Sequence, residues 1–186
     1  QVTYTYDSDM GGLYVSTAGG GAYNTLSYYE GEWSWTDAST QQGESYSASP
    51  TSGEWRITNQ WNNHHALAYS YDANGLISQV TDANGESTTL TYNASRQLIS
   101  LQMVTSSGTT TLVRYSYDGA GRLASVSTDL TPSDNSVADG NVYTTSYTYD
   151  GSSTRVASIT NSDGTAVSFT YDGSGRVASI TDGIGK

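Results

Sequence analysis

A chain of 186 residues with 18 acidic and seven basic side chains carries a formal charge of −11, which repels phosphate backbones and excludes nucleic acid as a partner. It has no cysteine, ruling out disulfide staples and thiolate metal sites, and it shows neither an apolar run of membrane-span length nor an opening signal-peptide pattern. Leu, Ile, Val and Phe supply only about 15% of the residues, a level associated with disorder, but 16 tyrosines and four tryptophans can carry core area if they recur with a structural period.

The chain opens on VTYTYD, in which Val2, Tyr4 and Tyr6 alternate with Thr3 and Thr5. Alternation of β-branched and aromatic residues at period two predicts a strand, with Gln1 already inside it, as in a segment cut from something longer. The DSDMGG stretch (7–12) gathers carboxylates and glycines but lacks the distal bidentate acid of a calcium loop, so it reads as a turn. Residues 1–53 form a degenerate β-hairpin region rich in Trp and Gly. There Trp33 and Trp35 share one strand face. Paired indoles are either a platform for a pyranose ring, and so a glycan contact, or core aromatic area; the shortage of aliphatic residues favours core.

Residues 54–186 are written in repeats. His64 and His65 are neighbours on what reads as a strand, which points them to opposite faces and keeps them from sharing a metal. A phrase then recurs around the anchors Tyr71, Tyr92, Tyr117, Tyr149 and Tyr171, spaced 21, 25, 32 and 22 residues apart, a unit near 21 that is lengthened twice. Two residues before these anchors stand Tyr69, Leu90, Tyr115, Tyr147 and Phe169, with small or polar residues between, so each phrase predicts a strand. Asp72 to Gly75, Asp118 to Gly121 and Asp172 to Gly175 follow as turns. The aspartate can accept amides two residues on and the glycine takes positive φ, which suits a type I turn with a G1 bulge. The chain then reverses, an apolar residue recurs five beyond the glycine (Val80, Val126, Ile180), and a second turn such as DANG (82–85) or NSDG (161–164) leads into the next hairpin.

Arginines after the corner, Arg122 and Arg176, are placed to lie over tyrosine rings or to pair with turn carboxylates. The corner at Asn93 lacks a closing glycine, and the corner after Tyr149 and Asp150 has an extra residue before Arg155, so both are expected to differ in geometry. TDLTPSDNSVADGNV (128–142) reads as an inserted loop. The expected fold is all-β, with tandem hairpins in a long, curled antiparallel sheet: tyrosines stacked on one face, Thr and Ser on the other. No nucleophile elbow, phosphate loop or His-Glu-x-x-His is present, and turn-making accounts for the aspartates. No catalytic residue, cofactor or metal site is therefore expected, and the chain does not read as an enzyme.

The Tyr-x-Tyr-Asp-x-x-Gly-Arg-Leu phrase, clearest at Tyr117, Asp118, Gly121, Arg122 and Leu123 and at Tyr171, Asp172, Gly175, Arg176 and Val177, resembles the YD repeats of rearrangement-hotspot (Rhs) proteins, bacterial toxin-complex subunits and teneurins. The likeness covers residues 54–186. It implies a structural strip, part of a hollow shell that encloses a toxic polypeptide in a secreted or surface bacterial protein, or part of an adhesive ectodomain. The Asp-Pro self-cleavage motif of such shells is missing, because neither Pro50 nor Pro132 follows an aspartate. Two other readings stay open: an extracellular module that assembles with other YD-repeat segments or copies of itself through sheet edges, and a carbohydrate-binding module using the N-terminal tryptophans.

Overall fold

A computed structural model describes residues 4–7, 13–16, 24–50, 52–62, 64–134 and 136–183. Packing divides the chain into two compact units, Gln1–Thr88 and Thr89–Lys186, so the compositional boundary at 53/54 falls inside the first. The first unit holds β1 (Tyr4–Asp7), β2 (Leu13–Ser16), β3 (Asn24–Tyr29), β4 (Glu32–Asp37), β5 (Gln42–Ala48), β6 (Trp55–Trp61), β7 (Ala66–Tyr71) and β8 (Ile77–Asp82). β9 (Ser87–Tyr92) crosses the boundary. The second holds β10 (Leu98–Thr105), β11 (Gly108–Tyr117), β12 (Leu123–Asp129), β13 (Val142–Tyr149), β14 (Val156–Asn161), β15 (Ala166–Tyr171) and β16 (Val177–Asp182). In each unit the strands lie in chain order, with antiparallel pairing from β1 through β8 and from β10 through β16, as the hairpin alternation predicts.

Alternation along the strands becomes alternation across the sheet. In β7, β13 and β15 the tyrosine positions are half-buried while Ala68, Ser70, Ser146, Thr148, Ser168 and Thr170 are exposed. The exposed face is a lattice of hydroxyls bonded across strands: Ser116 with Ser125 at 2.7 Å, Thr148 with Ser158 at 2.6 Å and Thr170 with Ser179 at 2.7 Å. On the opposite face Tyr69 lies across from Val80, Tyr115 from Val126, Tyr147 from Ile159 and Phe169 from Ile180. Among the described residues Leu112 is the one buried hydrophobic side chain, so the tyrosine face holds its area half-covered rather than inside a dry core.

The insertion is a loop, as expected, with β12 and β13 running into its ends and one short 3-10 turn at Pro132–Asp134. Leu130 N–H donates to the Asn141 carbonyl at 2.8 Å, closing it at the base. His64 and His65 are not on a strand. They sit in the tight connection from β6 to β7, where the Asn62 side-chain oxygen accepts both their backbone amides at 2.9 Å. An Asn able to satisfy two successive amides makes a turn there, overriding the strand pattern. The DSDMGG stretch from residue 8 onward lies outside the described residues.

Candidate functional site

The site this chain builds is a corner, made repeatedly. At Asp72 the carboxylate oxygen Oδ1 accepts the Asn74 and Leu76 amides at 2.9 and 2.8 Å, while Gly75 N–H donates to the Asp72 carbonyl and Asp72 N–H to the Leu76 carbonyl. Asp118 and Asp172 repeat every bond: Ala120 and Arg122 amides on one, Ser174 and Arg176 amides on the other, at 2.9 to 3.0 Å. Gly75, Gly121 and Gly175 take φ of 77°, 79° and 77°, the left-handed conformation that a residue with Cβ resists. The strand ladder then slips by one residue at the same place each time, between Ser70 and Tyr71, Ser116 and Tyr117, Thr148 and Tyr149, and Thr170 and Tyr171. The Arg122 amide, above all, holds the Asp118 carboxyl below its ordinary range, and the Arg176 amide does the same for Asp172. No group of acidic and histidine side chains suited to a metal exists among the described residues.

Each corner is then tied to the next hairpin by two side chains. The second tyrosine of the phrase donates its hydroxyl to a carbonyl near the start of the preceding return strand, on its first residue in β10, β12 and β14 and on its third in β6. Tyr71 reaches Ile57 at 2.6 Å, Tyr117 reaches Leu98 at 2.8 Å, Tyr149 reaches Leu123 at 2.7 Å and Tyr171 reaches Val156 at 2.7 Å. The residue just before that carbonyl covers the ring: Arg56 lies 5.4 Å from the Tyr71 centroid, Arg122 4.4 Å from Tyr149 and Arg155 5.2 Å from Tyr171. Arg122 does most. Its Nε and Nη2 grip Asp118 at 2.8 Å, and its Nη1 donates to the Gly151 and Ser153 carbonyls of the next corner at 2.9 and 2.6 Å. Gln97 stands at the same point of its hairpin and donates Nε2 to the Gly121 carbonyl at 2.7 Å.

The two irregular corners separate. Around Asn93 the geometry is unchanged, contrary to the expectation from its missing glycine. Asn93 Oδ1 accepts the Ser95 and Gln97 amides at 3.0 and 2.9 Å, and Arg96 itself adopts φ of 65°. The backbone bonding of the corner outweighs the preference of a side-chained residue for negative φ. The Asp150 corner does differ: Asp150 N–H bonds to Arg155 O, one residue further on, and the Ser153 hydroxyl accepts the Arg155 amide at 3.1 Å while the Asp150 carboxylate holds the Arg155 guanidinium at 2.9 Å.

Sequence reasoning named Tyr69, Tyr71, Asp72, Gly75, Tyr115, Tyr117, Asp118, Gly121, Arg122, Tyr147, Tyr149, Asp150, Phe169, Tyr171, Asp172, Gly175 and Arg176, and these residues gather at successive corners and on the strands feeding them. It missed the hydroxyl-to-carbonyl tie, Gln97 and Arg56. A signal existed: the position before the anchor accepts Leu90 and Phe169, while the anchor is tyrosine in every phrase, which only a hydroxyl requirement explains. Trp33 and Trp35 lie on one face, Trp33 opposite Tyr28 and Tyr46 and Trp35 opposite Leu26 and Glu44. Trp33 packs against Tyr28 with centroids 5.1 Å apart and edge-on to Trp55 at 6.4 Å. Beside this cluster the Tyr46 hydroxyl bonds to the Glu44 carboxylate, which pushes the phenol up to about 12.

The family model described as Teneurin YD-shell matches residues 45–182. Among solved structures, the crystal structure of TcdB2-TccC3-Cdc42 superposes with a TM-score of 0.57 at 17% identity, and that of TcdB2-TccC3 without its hypervariable C-terminal region with 0.54 at 16%. Each covers 97% of this chain, which spans 10% of the matched chain. At that identity the likeness is one of fold. No curated protein matches the sequence.

Proposed function

The chain belongs to the teneurin YD-shell family, and on that premise we propose that it is a panel of shell wall: a non-enzymatic strip whose hairpins continue a larger surface around an enclosed polypeptide in a secreted or surface bacterial protein. The observation that supports this reading is the repeated corner tie. Four Tyr hydroxyl bonds, from Tyr71, Tyr117, Tyr149 and Tyr171, and three arginine-covered rings join hairpin to hairpin in the same way, which suits a wall that lengthens by repetition. At Asp118 and Asp172 both carboxylate oxygens are engaged, one by two turn amides and the other by an arginine. The test is limited proteolysis of the parent polypeptide. A panel of a closed wall predicts that a downstream segment survives protease until the Tyr-Arg ties are cut by substitution, whereas equal cleavage with intact and broken ties contradicts it.

A second reading, glycan contact, has its own support in the first unit. A cleft of about 300 Å³ there is lined by Trp35, Trp61, Glu44, Gln60 and His65, and Tyr28 and Trp55 are about half exposed nearby in sequence order. Quenching of tryptophan fluorescence by soluble glycans would support it, and a flat titration against a broad glycan set would end it.

A further inference from the structure

A glycan contact in the first unit needs a ring to carry the sugar, and the strand register separates the four indoles. Trp33 and Trp35 lie on the tyrosine face, where Trp33 packs against Tyr28 and Trp55. Trp61 lies on the other face. It pairs with Gly43 and Ala66, two residues along from Asn59, which pairs with Ser45 and Ala68. Gly43 is buried and stands outside the left-handed region, so no turn requires a glycine there. A Cβ on it would stand 2.2 Å from Cζ2 and 2.4 Å from Cε2 of Trp61, so the bare glycine is the seat on which the ring lies. Covering a glycine explains a ring at position 61, but not the space kept around it. Short side chains at Ser45, Ala66 and Ala68 leave Trp61 as the shared wall of two clefts, of about 300 and about 510 Å³.

We propose that Trp61 is the platform of a saccharide site and that its ligand is a neutral hexopyranose within a glycan chain; the inference rests on the glycan reading above. The flat C–H face of a pyranose carries partial positive charge and lies against the negative π face of an indole that Gly43 already holds in place, which lowers the ordering cost of binding. The hydroxyls at the edge of the sugar meet amides on both sides. Asn62 and Asn59, one in each cleft, are exposed, and Asn62 Nδ2 and Asn59 Oδ1 make no bond among the described residues. No arginine or lysine lines either cleft, while Glu44 lines one and Asp82 the other, so a phosphate, sulfate or uronic acid would meet like charge. An apolar ligand would strip water from the amides without replacing its bonds. A neutral polyol with one apolar face satisfies both halves of the lining.

Titration of the chain with neutral gluco-, manno- and galacto-oligosaccharides, followed by NMR on the indole N–H signals, tests it, with glucuronate oligomers as the charged counterpart. The Trp61 signal is expected to move with at least one neutral oligosaccharide, and the glucuronate oligomers to bind roughly tenfold or more weakly. Trp61→Ala should weaken binding about tenfold and Asn59→Ala about threefold, with the Asp72 corner amides unshifted as a check that the unit is folded. If Trp61→Ala does not fold, the wild-type Trp61 signal decides. Binding that moves Trp33 or Trp55 and leaves Trp61 still, or that survives Trp61→Ala, would overturn the assignment and keep the glycan reading. Equal binding of glucuronate would overturn the neutral class. No movement of any indole with any sugar would end both.

Discussion

Arg122 touches its own carboxylate, two carbonyls of the next corner and the ring of Tyr149, so its removal acts on two hairpins together. A double-mutant cycle of Arg122→Met and Tyr149→Leu is expected to show a coupling of about 1–2 kcal/mol in urea unfolding, from the cation–ring contact and the bonds it aligns. Asp118 gives a pH signature. Its folded pKa lies below the ordinary 3.8, so its contribution is complete above that value and is lost as pH falls through the lower, folded one. Asn93 demonstrates that an amide can build the same corner, so Asp118→Asn isolates the charge and its pairing with Arg122. The variant should have the lower urea midpoint at pH 7, and the gap should start to narrow as the pH falls below about 3.8 and close only below the lower, folded value.

Hairpins were the part most open to sequence reading, because period two and the Asp-x-x-Gly corner are both local. Arg96 shows where local reading stops. Its corner keeps the standard bonding with a side-chained residue at φ of 65°, since the strands on either side fix the corner more firmly than one residue's preference. Arg96→Gly is therefore expected to stabilise the protein by about 1 kcal/mol, seen as a higher urea midpoint, because the substitution removes a left-handed side chain that is exposed. The histidine pair failed for the same reason in reverse: Asn62 bonds to amides two and three residues on, and strand periodicity says nothing of that. The insertion between β12 and β13 is closed by its own bond from Leu130 to Asn141. Replacing 130–141 by a two-residue Asn-Gly turn should leave the Asp129–Val142 pairing and the corner ties intact, with amide exchange in β13 and β14 unchanged. The inter-hairpin tie stayed hidden because no spacing rule links Tyr149 to Leu123, 26 residues away.

With Leu112 as the one buried hydrophobic among the described residues, stability in each unit rests on many equal contacts between neighbouring hairpins. Disturbing one contact should then loosen its two partners and little else. The −11 charge keeps such a half-covered aromatic face soluble, and the Ser and Thr lattice on the other face closes many of its hydrogen bonds internally. Native-state hydrogen exchange on Tyr149→Phe is the measurement to make, since it deletes one hydroxyl and keeps the ring under Arg122. The tie predicts lost protection, equivalent to about 1 kcal/mol, in β12 and in the β13–β14 hairpin, with the Asp172 corner of β15–β16 and the hairpins of the first unit unchanged. Equal loss along the whole chain, or no loss at all, would show that the hairpins are not held to one another by the tyrosine tie.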